Sequence, residues 1–126
     1  MEEKKFTKQH EWVEKSNDLL IVGITDFAQN QLGDIVSIEL PQIGSSFKQN
    51  DVMAIVDSVK ASSDIFCPVD GKIVEVNEKL LENPEIINQS AFSEGWIVKI
   101  KPENSKQLDS LLSKEQYEEL IGENQE

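Results

Sequence analysis

Two runs of strand-forming residues meet at a single lysine, and this pattern constrains the fold more than any other feature of the chain. Residues 52–59 are mostly apolar and lead to Lys60, and the run that follows it ends before Pro68. Lysine is otherwise absent between Lys48 and Lys72. Two such runs around a short turn are typical of a β-hairpin, so we predict a hairpin with Lys60 at its tip.

The lysine at this tip has two interpretations. Most lysines at exposed turns only keep the turn soluble, and position alone favours that interpretation. The alternative is a lysine that a modifying enzyme recognises and acylates. A lone cation between Asp57 and Asp64 is difficult to explain by packing and fits the second interpretation better.

Composition limits the classes of partner. The chain has 126 residues, is 38% hydrophobic, and carries a formal charge of −12, with twelve lysines and no arginine. Such a length predicts one domain with a modest core. The acidic balance argues against nucleic acids and anionic membranes, and no apolar run approaches the ~20 residues of a membrane span. An acidic surface suits docking on basic patches of other proteins, although simple solubility explains it equally well.

The N-terminus and the single cysteine indicate a compartment. Residues 1–6 show neither an apolar signal region nor an arginine-rich transit pattern. Cys67 has no partner for an internal disulfide, which fits a reducing environment. We therefore expect a bacterial cytoplasmic protein, with Cys67 as a buried or half-buried strand residue.

Further short strands are expected on both sides of the hairpin, and they define the fold class. Apolar residues alternate or cluster between turn residues, which is the pattern of strands in a mainly β protein. We predict a small two-sheet sandwich or barrel hybrid. The strands are predicted at residues 10–14, 19–24, 34–40, 72–77 and 96–100, the last closed by Pro102, and a short helix is predicted near Pro84.

Helices are predicted only in the middle and at the C-terminus. Thr25 or Asp26 is suited to begin a short internal helix that stops at Gly33. The C-terminal pattern is helical over about residues 105–122. It contains a capping-box match, Ser113 to Gln116, and the second helix is predicted to end at Gly122, before a fraying polar tail.

The chain offers few catalytic groups, so we expect no enzyme. With His10 as the only histidine, a histidine-rich metal site and two-histidine acid–base schemes are excluded. Ser62 and Ser63 lack an obvious base and are better explained as strand residues. We expect neither a catalytic residue nor a metal ligand.

Several motifs in order resemble a known family. Val59-Lys60-Ala61, followed by Asp64, Pro68 and Gly71, resembles the attachment region of lipoyl-bearing carrier domains. The wider pattern, from His10-Glu11-Trp12 to Trp96, is similar to the H proteins of the glycine cleavage system. The resemblance implies a lipoyl-domain-like fold, residues 1–126 as a single carrier domain, and lipoate attached covalently to Lys60.

The resemblance also implies a function and partners. Family members receive lipoate from a lipoate ligase or a lipoyl/octanoyl transferase. A pyridoxal-phosphate glycine decarboxylase loads the arm with an aminomethyl group, and a tetrahydrofolate-dependent aminomethyltransferase unloads it. A flavin-dependent dihydrolipoamide dehydrogenase reoxidises the arm. The chain would then be a carrier subunit that shuttles this group.

Four more residues are implied by the resemblance. Asp57 and Gly44 match positions that lipoylating enzymes recognise, with Asp57 in place of the usual glutamate; Gly44 is also explained as a loop glycine with positive φ. Glu11 and Asp64 match residues near the cleft that shelters the loaded arm, where two carboxylates suit a cationic amine. The alternative is that both are solvated acids at strand ends.

Other functions remain open at this point. The nearest is an H-like carrier or lipoyl-relay protein that serves another complex. A second is a scaffold that kept the fold and lost the modification, which the intact Lys60 argues against. Biotin carriage fits less well, because Val59 and Ala61 stand where biotinyl domains have methionines. Ala91 and Phe92 replace a proline and a tyrosine of many H proteins, which affects fine partner contacts rather than the fold.

Overall fold

The fold is built from two antiparallel sheets. The structure, a computed structural model, describes residues 4–124. One sheet has six strands in the order β1-β2-β3-β9-β8-β5, and the other has three in the order β4-β6-β7. The strands are β1 (Lys4–Phe6), β2 (Glu11–Ser16), β3 (Leu19–Ile24), β4 (Ile35–Glu39), β5 (Ser46–Phe47), β6 (Val52–Ser58), β7 (Ser62–Phe66), β8 (Gly71–Val76) and β9 (Val98–Pro102). The predicted mainly β, two-sheet fold is confirmed.

The inward faces of both sheets share one core. Val22, Ile73 and Ile100 of the larger sheet and Val56 of the smaller sheet are fully buried within it. Alternate residues of these strands point inward, which is the period-two pattern seen in the sequence. A second cluster forms around Phe6, Trp12 and Tyr117, at the end of the larger sheet.

Four short α-helices and one 3-10 helix complete the described chain. The bounds are α1 (Asp26–Leu32), α2 (Lys79–Glu82), α3 (Ile86–Gln89), the 3-10 helix Ser105–Ser110 and α4 (Lys114–Asn124). The Thr25 hydroxyl accepts a hydrogen bond from the backbone N–H of Ala28, as an N-cap does. Gly33 ends α1 with a φ of 79°, as predicted for a glycine stop. In residues 4–124 every helix is too short or too polar to cross a membrane.

Strand boundaries differ from the prediction where the backbone changes direction. His10 has a φ of 72°, outside the β region, so β2 begins at Glu11 and continues to Ser16. Pro102 does not close the last strand but belongs to β9, where it pairs with Gly71. β3 pairs with β9 only as far as Ile100, so the missing N–H of Pro102 does not interrupt that ladder.

The C-terminal segment is helical, with two differences from the prediction. Its first part is a 3-10 helix, and the α-helix α4 continues through Gly122 to Asn124, so Gly122 is not the helix end. The capping box is confirmed, because Ser113 Oγ accepts from the Gln116 N–H and Gln116 Oε1 accepts from the Ser113 N–H. Of the polar tail, residues 125 and 126 lie outside the described residues.

Candidate functional site

The turn that carries Lys60 is compact and internally bonded. β6 and β7 pair up to Asp57 and Ser62, and Ser58 then closes the turn with a backbone N–H to the Ala61 carbonyl at 2.9 Å. The Ser58 hydroxyl accepts from the N–H groups of Lys60 and Ala61, each at 3.2 Å, and donates to the Ala61 carbonyl at 3.0 Å. The tip is therefore a defined structure on which Lys60 is exposed.

The tip rests on the segment that follows α1. The N–H of Val59 donates to the carbonyl oxygen of Asp34 at 3.0 Å. The stem of Lys60 runs over Gly33, since a Cβ added to Gly33 would lie 3.5 Å from Lys60 Cε. The Val59 side chain is 65% exposed beside it. Lys60 thus stands on a supported platform with an apolar neighbour facing solvent.

Asp57 lies at the base of the tip with both carboxylate oxygens occupied. One oxygen accepts from the hydroxyl of Ser62, and the other accepts from that of Ser37 at 3.0 Å. These two bonds lower the pKa of Asp57. The structure therefore places an ionised carboxylate at the last position where β6 pairs with β7, three residues before Lys60, where hydroxyl groups from the strands on both sides hold it.

Gly44 lies in the loop between β4 and β5. Its φ of 96° is in the left-handed region, and its N–H donates to the Ile73 carbonyl at 2.7 Å. The interpretation of Gly44 as a loop glycine with positive φ is confirmed. Because this bond joins it to the larger sheet, while Lys60 is carried by the smaller one, Gly44 is not part of the tip.

Glu11 is buried rather than solvated. It is 1% exposed, and its two oxygens accept from the Thr7 hydroxyl at 2.5 Å and the Phe66 N–H at 3.2 Å. Burial raises the pKa of Glu11 to about 7, and the two hydrogen bonds reduce that rise. The interpretation as a solvated acid is therefore wrong for Glu11.

Asp64 is exposed on β7, two residues before Phe66. Glu11 binds the backbone of Phe66, so the fold brings a buried and an exposed acid to the same strand. The arrangement puts one carboxyl group inside the protein and one outside, along the strand that leaves the Lys60 tip.

The remaining reactive side chains are engaged elsewhere. The Cys67 thiol is buried and donates to the Val69 carbonyl at 3.0 Å, and burial raises its pKa to about 11. His10 lies 2.8 Å from the Tyr117 hydroxyl through Nδ1, and burial lowers its pKa. Cys67 and His10 therefore do not form a nucleophile–base pair.

The sequence did not predict the roles of two residues that support the tip, Ser58 and Asn88. Ser58 gives no signal beyond a polar residue at a turn, although turn serines often bond nearby backbone. Asn88 lies on α3, about 28 residues after Lys60, and bonds the segment beneath the tip. No local pattern connects positions so far apart, because only the fold brings them together.

Comparison with known proteins identifies the family. The family model described as glycine cleavage H-protein matches residues 4–124 of the chain. The chain belongs to the glycine cleavage H-protein family. A glycine cleavage system H protein of Halothermothrix orenii is 48% identical over 94% of this chain and 92% of the relative. That of Symbiobacterium thermophilum is 50% identical over 90% and 89%, respectively.

A solved structure of the H-protein family has the same fold. The crystal structure of a glycine cleavage system H protein from Mycobacterium marinum is similar with a TM-score of 0.84. The two sequences are 29% identical, and the match covers 98% of each chain. The resemblance stated from the motifs is therefore confirmed for the family and for the fold.

Proposed function

We propose that this H-protein family member is a carrier that bears lipoate on Lys60. The observation that supports this proposal most directly is the exposed lysine on a bonded turn, supported from below by Gly33 and Asp34. In its neutral form, the Nζ amine attacks an activated lipoyl or octanoyl carbonyl, forms an amide and displaces the activating group. An exposed, rigidly based lysine suits this reaction, because the modifying enzyme meets one arrangement of the tip.

The group that fits this site is the lipoyl group. It needs one open amine and no enclosing cavity at the attachment point, which the exposed tip provides. When bound, its dithiolane exchanges between disulfide and dithiol and carries the aminomethyl fragment of glycine. The chain itself holds the attachment point and presents it to enzymes that perform the chemistry.

Recognition by the lipoylating enzyme is proposed to involve Asp57 and Gly44. The Asp57 carboxylate is held by Ser37 and Ser62, so it is a fixed negative charge at the base of the hairpin tip that carries Lys60. Gly44 would contribute by shaping the loop between β4 and β5, because its positive φ sets the course of the backbone there. A lipoate ligase or a lipoyl/octanoyl transferase is the proposed partner for this step.

Glu11 and Asp64 are proposed to face the loaded arm. The Glu11 carboxyl group is buried against the end of β7, where burial raises its pKa to about 7. A cationic amine brought near it would favour the ionised form and lower its pKa. Asp64, exposed on β7, would add a second negative charge.

The proposed partners in turnover are glycine decarboxylase, aminomethyltransferase and dihydrolipoamide dehydrogenase. The formal charge of −12 supports docking on basic patches, because opposite charges accelerate encounter. The matched relatives of bacterial origin and the single cysteine support the bacterial cytoplasm as its location.

The first test is the mass of the protein after incubation with a lipoate ligase, ATP and lipoate. We expect one lipoyl increment, which peptide mapping places on Lys60. Lys60→Arg should fold and gain no increment, whereas Lys72→Arg, a change at another exposed lysine, should behave as the wild type. An increment that persists in Lys60→Arg, or no increment beside a control carrier that becomes lipoylated, would contradict the proposal.

The second test separates glycine cleavage from service to another complex. The lipoylated protein is combined with glycine decarboxylase, aminomethyltransferase, dihydrolipoamide dehydrogenase, tetrahydrofolate and NAD⁺. Glycine-dependent NADH formation that requires the lipoylated protein supports the proposed shuttle. A lipoylated protein that supports no turnover, beside a family member that does, would favour a carrier for a different complex.

A further inference from the structure

The platform beneath Lys60 is a short piece of backbone without regular structure. It comprises Gly33 and Asp34, between the end of α1 and the start of β4. Asp34 accepts the Val59 N–H, and Gly33 lies against the Lys60 stem. Any motion of this piece is passed directly to the tip, because it makes both contacts.

One side chain from another element binds the backbone on both sides of Asp34, at Gly33 and at Ile35. Asn88 Nδ2 donates to the Gly33 carbonyl at 2.9 Å, and Asn88 Oδ1 accepts from the Ile35 N–H at 2.9 Å. Nδ2 also donates to Gln29 Oε1 at 2.8 Å. The Gly33 carbonyl and the Ile35 N–H together fix the orientation of the Asn88 amide. Only its NH₂ group can donate to Gly33, and only its oxygen can accept from Ile35.

We propose that Asn88 is a positioning residue for the lipoylation site. Through the Gly33–Ile35 backbone it fixes the carbonyl that holds Val59, and thereby the orientation in which Lys60 is presented. The inference rests on the proposed lipoyl attachment to Lys60 for its functional consequence, but the connection from Asn88 to Val59 stands on the hydrogen bonds alone.

The physical reason is the geometry of the support. The turn bonds of Ser58 fix the tip internally but do not fix its direction relative to the body of the protein. Strand pairing positions the chain as far as Ser58 on one side of the tip and Ser62 on the other, and the Val59–Asp34 bond then joins the backbone of the tip itself to the body of the protein. A side chain bonded on both sides of Asp34 removes freedom from this glycine-containing segment, whose backbone would otherwise visit several conformations.

The direct test is hydrogen exchange at the Val59 amide, followed by NMR. Asn88→Asp keeps an acceptor for Ile35 and loses both donors, and Asn88→Ala loses all three bonds. We expect Val59 to exchange about tenfold faster in Asn88→Asp, the order expected for the loss of a net hydrogen bond, and faster still in Asn88→Ala.

The matched control is Asn77→Ala. Asn77 is a buried asparagine that donates to two backbone carbonyls, those of Glu94 and Trp96, whereas Asn88 is half-buried and donates to the Gly33 carbonyl and to Gln29. Removal of the Asn77 side chain should lower global stability without a selective change at Val59. Unchanged Val59 exchange in both Asn88 variants, or an equal change in the Asn77 control, would overturn the proposal.

The functional readout is lipoylation kinetics with the ligase at varied carrier concentration. A tip that spends less time in the presented orientation raises the KM for the carrier and leaves kcat nearly unchanged. We expect the KM of Asn88→Ala to rise by at least about twofold and that of Asn77→Ala to stay at the wild-type value. An unchanged KM in Asn88→Ala, with Val59 exchange accelerated, would overturn the positioning role in lipoylation.

Failure of the proposed function would be seen separately. If the wild-type protein gains no lipoyl group, lipoyl attachment to Lys60 is refuted, while Val59 exchange still reports whether Asn88 holds the tip.

Discussion

Replacing Glu11 by glutamine is expected to change how the stability of the protein depends on pH. Glu11 is 1% exposed, and burial raises its pKa from an ordinary 4.5 to about 7. At about 1.4 kcal/mol for each pH unit between these values, the buried charge costs about 3 kcal/mol of folding free energy at high pH. Glutamine has nearly the same shape and never ionises, so Glu11→Gln removes this cost.

The direction of the effect follows from proton binding. Between pH 4.5 and 7 the folded protein holds the Glu11 proton and the unfolded chain does not. The stabilisation that the folded protein gains by holding the Glu11 proton is therefore fully present below pH 4.5. It falls as the pH rises through 7 and does not change further above that. His10 contributes with the opposite sign, since burial lowers its pKa, but it is present in both proteins and cancels in their difference.

The assay is urea unfolding of both proteins from pH 5 to pH 8.5. The free energy of unfolding of Glu11→Gln minus that of the wild type should increase by about 2.5 kcal/mol across this range. Glu14→Gln is the matched control on the same strand, because Glu14 is partly exposed and pairs with Lys4 at 2.8 Å. Parallel curves for the wild type and Glu11→Gln would refute the reasoning.

Four further experiments test the packing at Gly71, the helix at Gly122, the hydrogen bonds of Tyr117 and the burial of Cys67. Gly71→Ala should lose about 2 kcal/mol in urea unfolding, because the new Cβ would clash with Ile100 and lie 2.8 Å from the Lys101 carbonyl. Gly122→Ala, in open space on α4, should instead gain about 0.5 kcal/mol; a loss there would contradict the helical assignment. Tyr117→Phe should lose about 1–2 kcal/mol with the hydroxyl that bonds Thr25 and His10, and no loss would show that these bonds contribute nothing. The thiol of Cys67 should resist an aromatic disulfide reagent at pH 8 until urea unfolds the protein, and rapid reaction of the native state would contradict its burial.

The predictions that held rest on local signals. The hairpin around Lys60 and the helix Asp26–Leu32 depend on residues within about ten positions of one another, and both are present. Period-two alternation, a cap at Thr25 or Asp26 and the Gly33 stop act through neighbouring backbone groups, so the sequence alone predicts them. The family was likewise recognisable, because its motifs are short and occur in order.

The predictions that missed depend on distant partners. β1 and β5 have three and two residues, too few for a pattern, and they exist because β2 and β8 offer backbone partners. The sequence predicts that Pro102 ends the last strand, because only the register of the sheet shows that Pro102 pairs with Gly71. The sequence left open the alternative of Glu11 as a solvated acid because charged residues are rarely buried, and only the packing of Glu11 against Phe66 shows that this one is.

The sequence by itself determined the strand-rich class, the hairpin that carries Lys60 and the family, since alternation, turn residues and motif order are local properties of the chain. Only the tertiary structure decided that Glu11 is buried against Phe66 and that Asn88 lies under the tip. Those contacts join residues separated by 55 positions along the chain. The pKa of a carboxyl group and the support of a turn both depend on what surrounds them in space, and that is set when the two sheets pack.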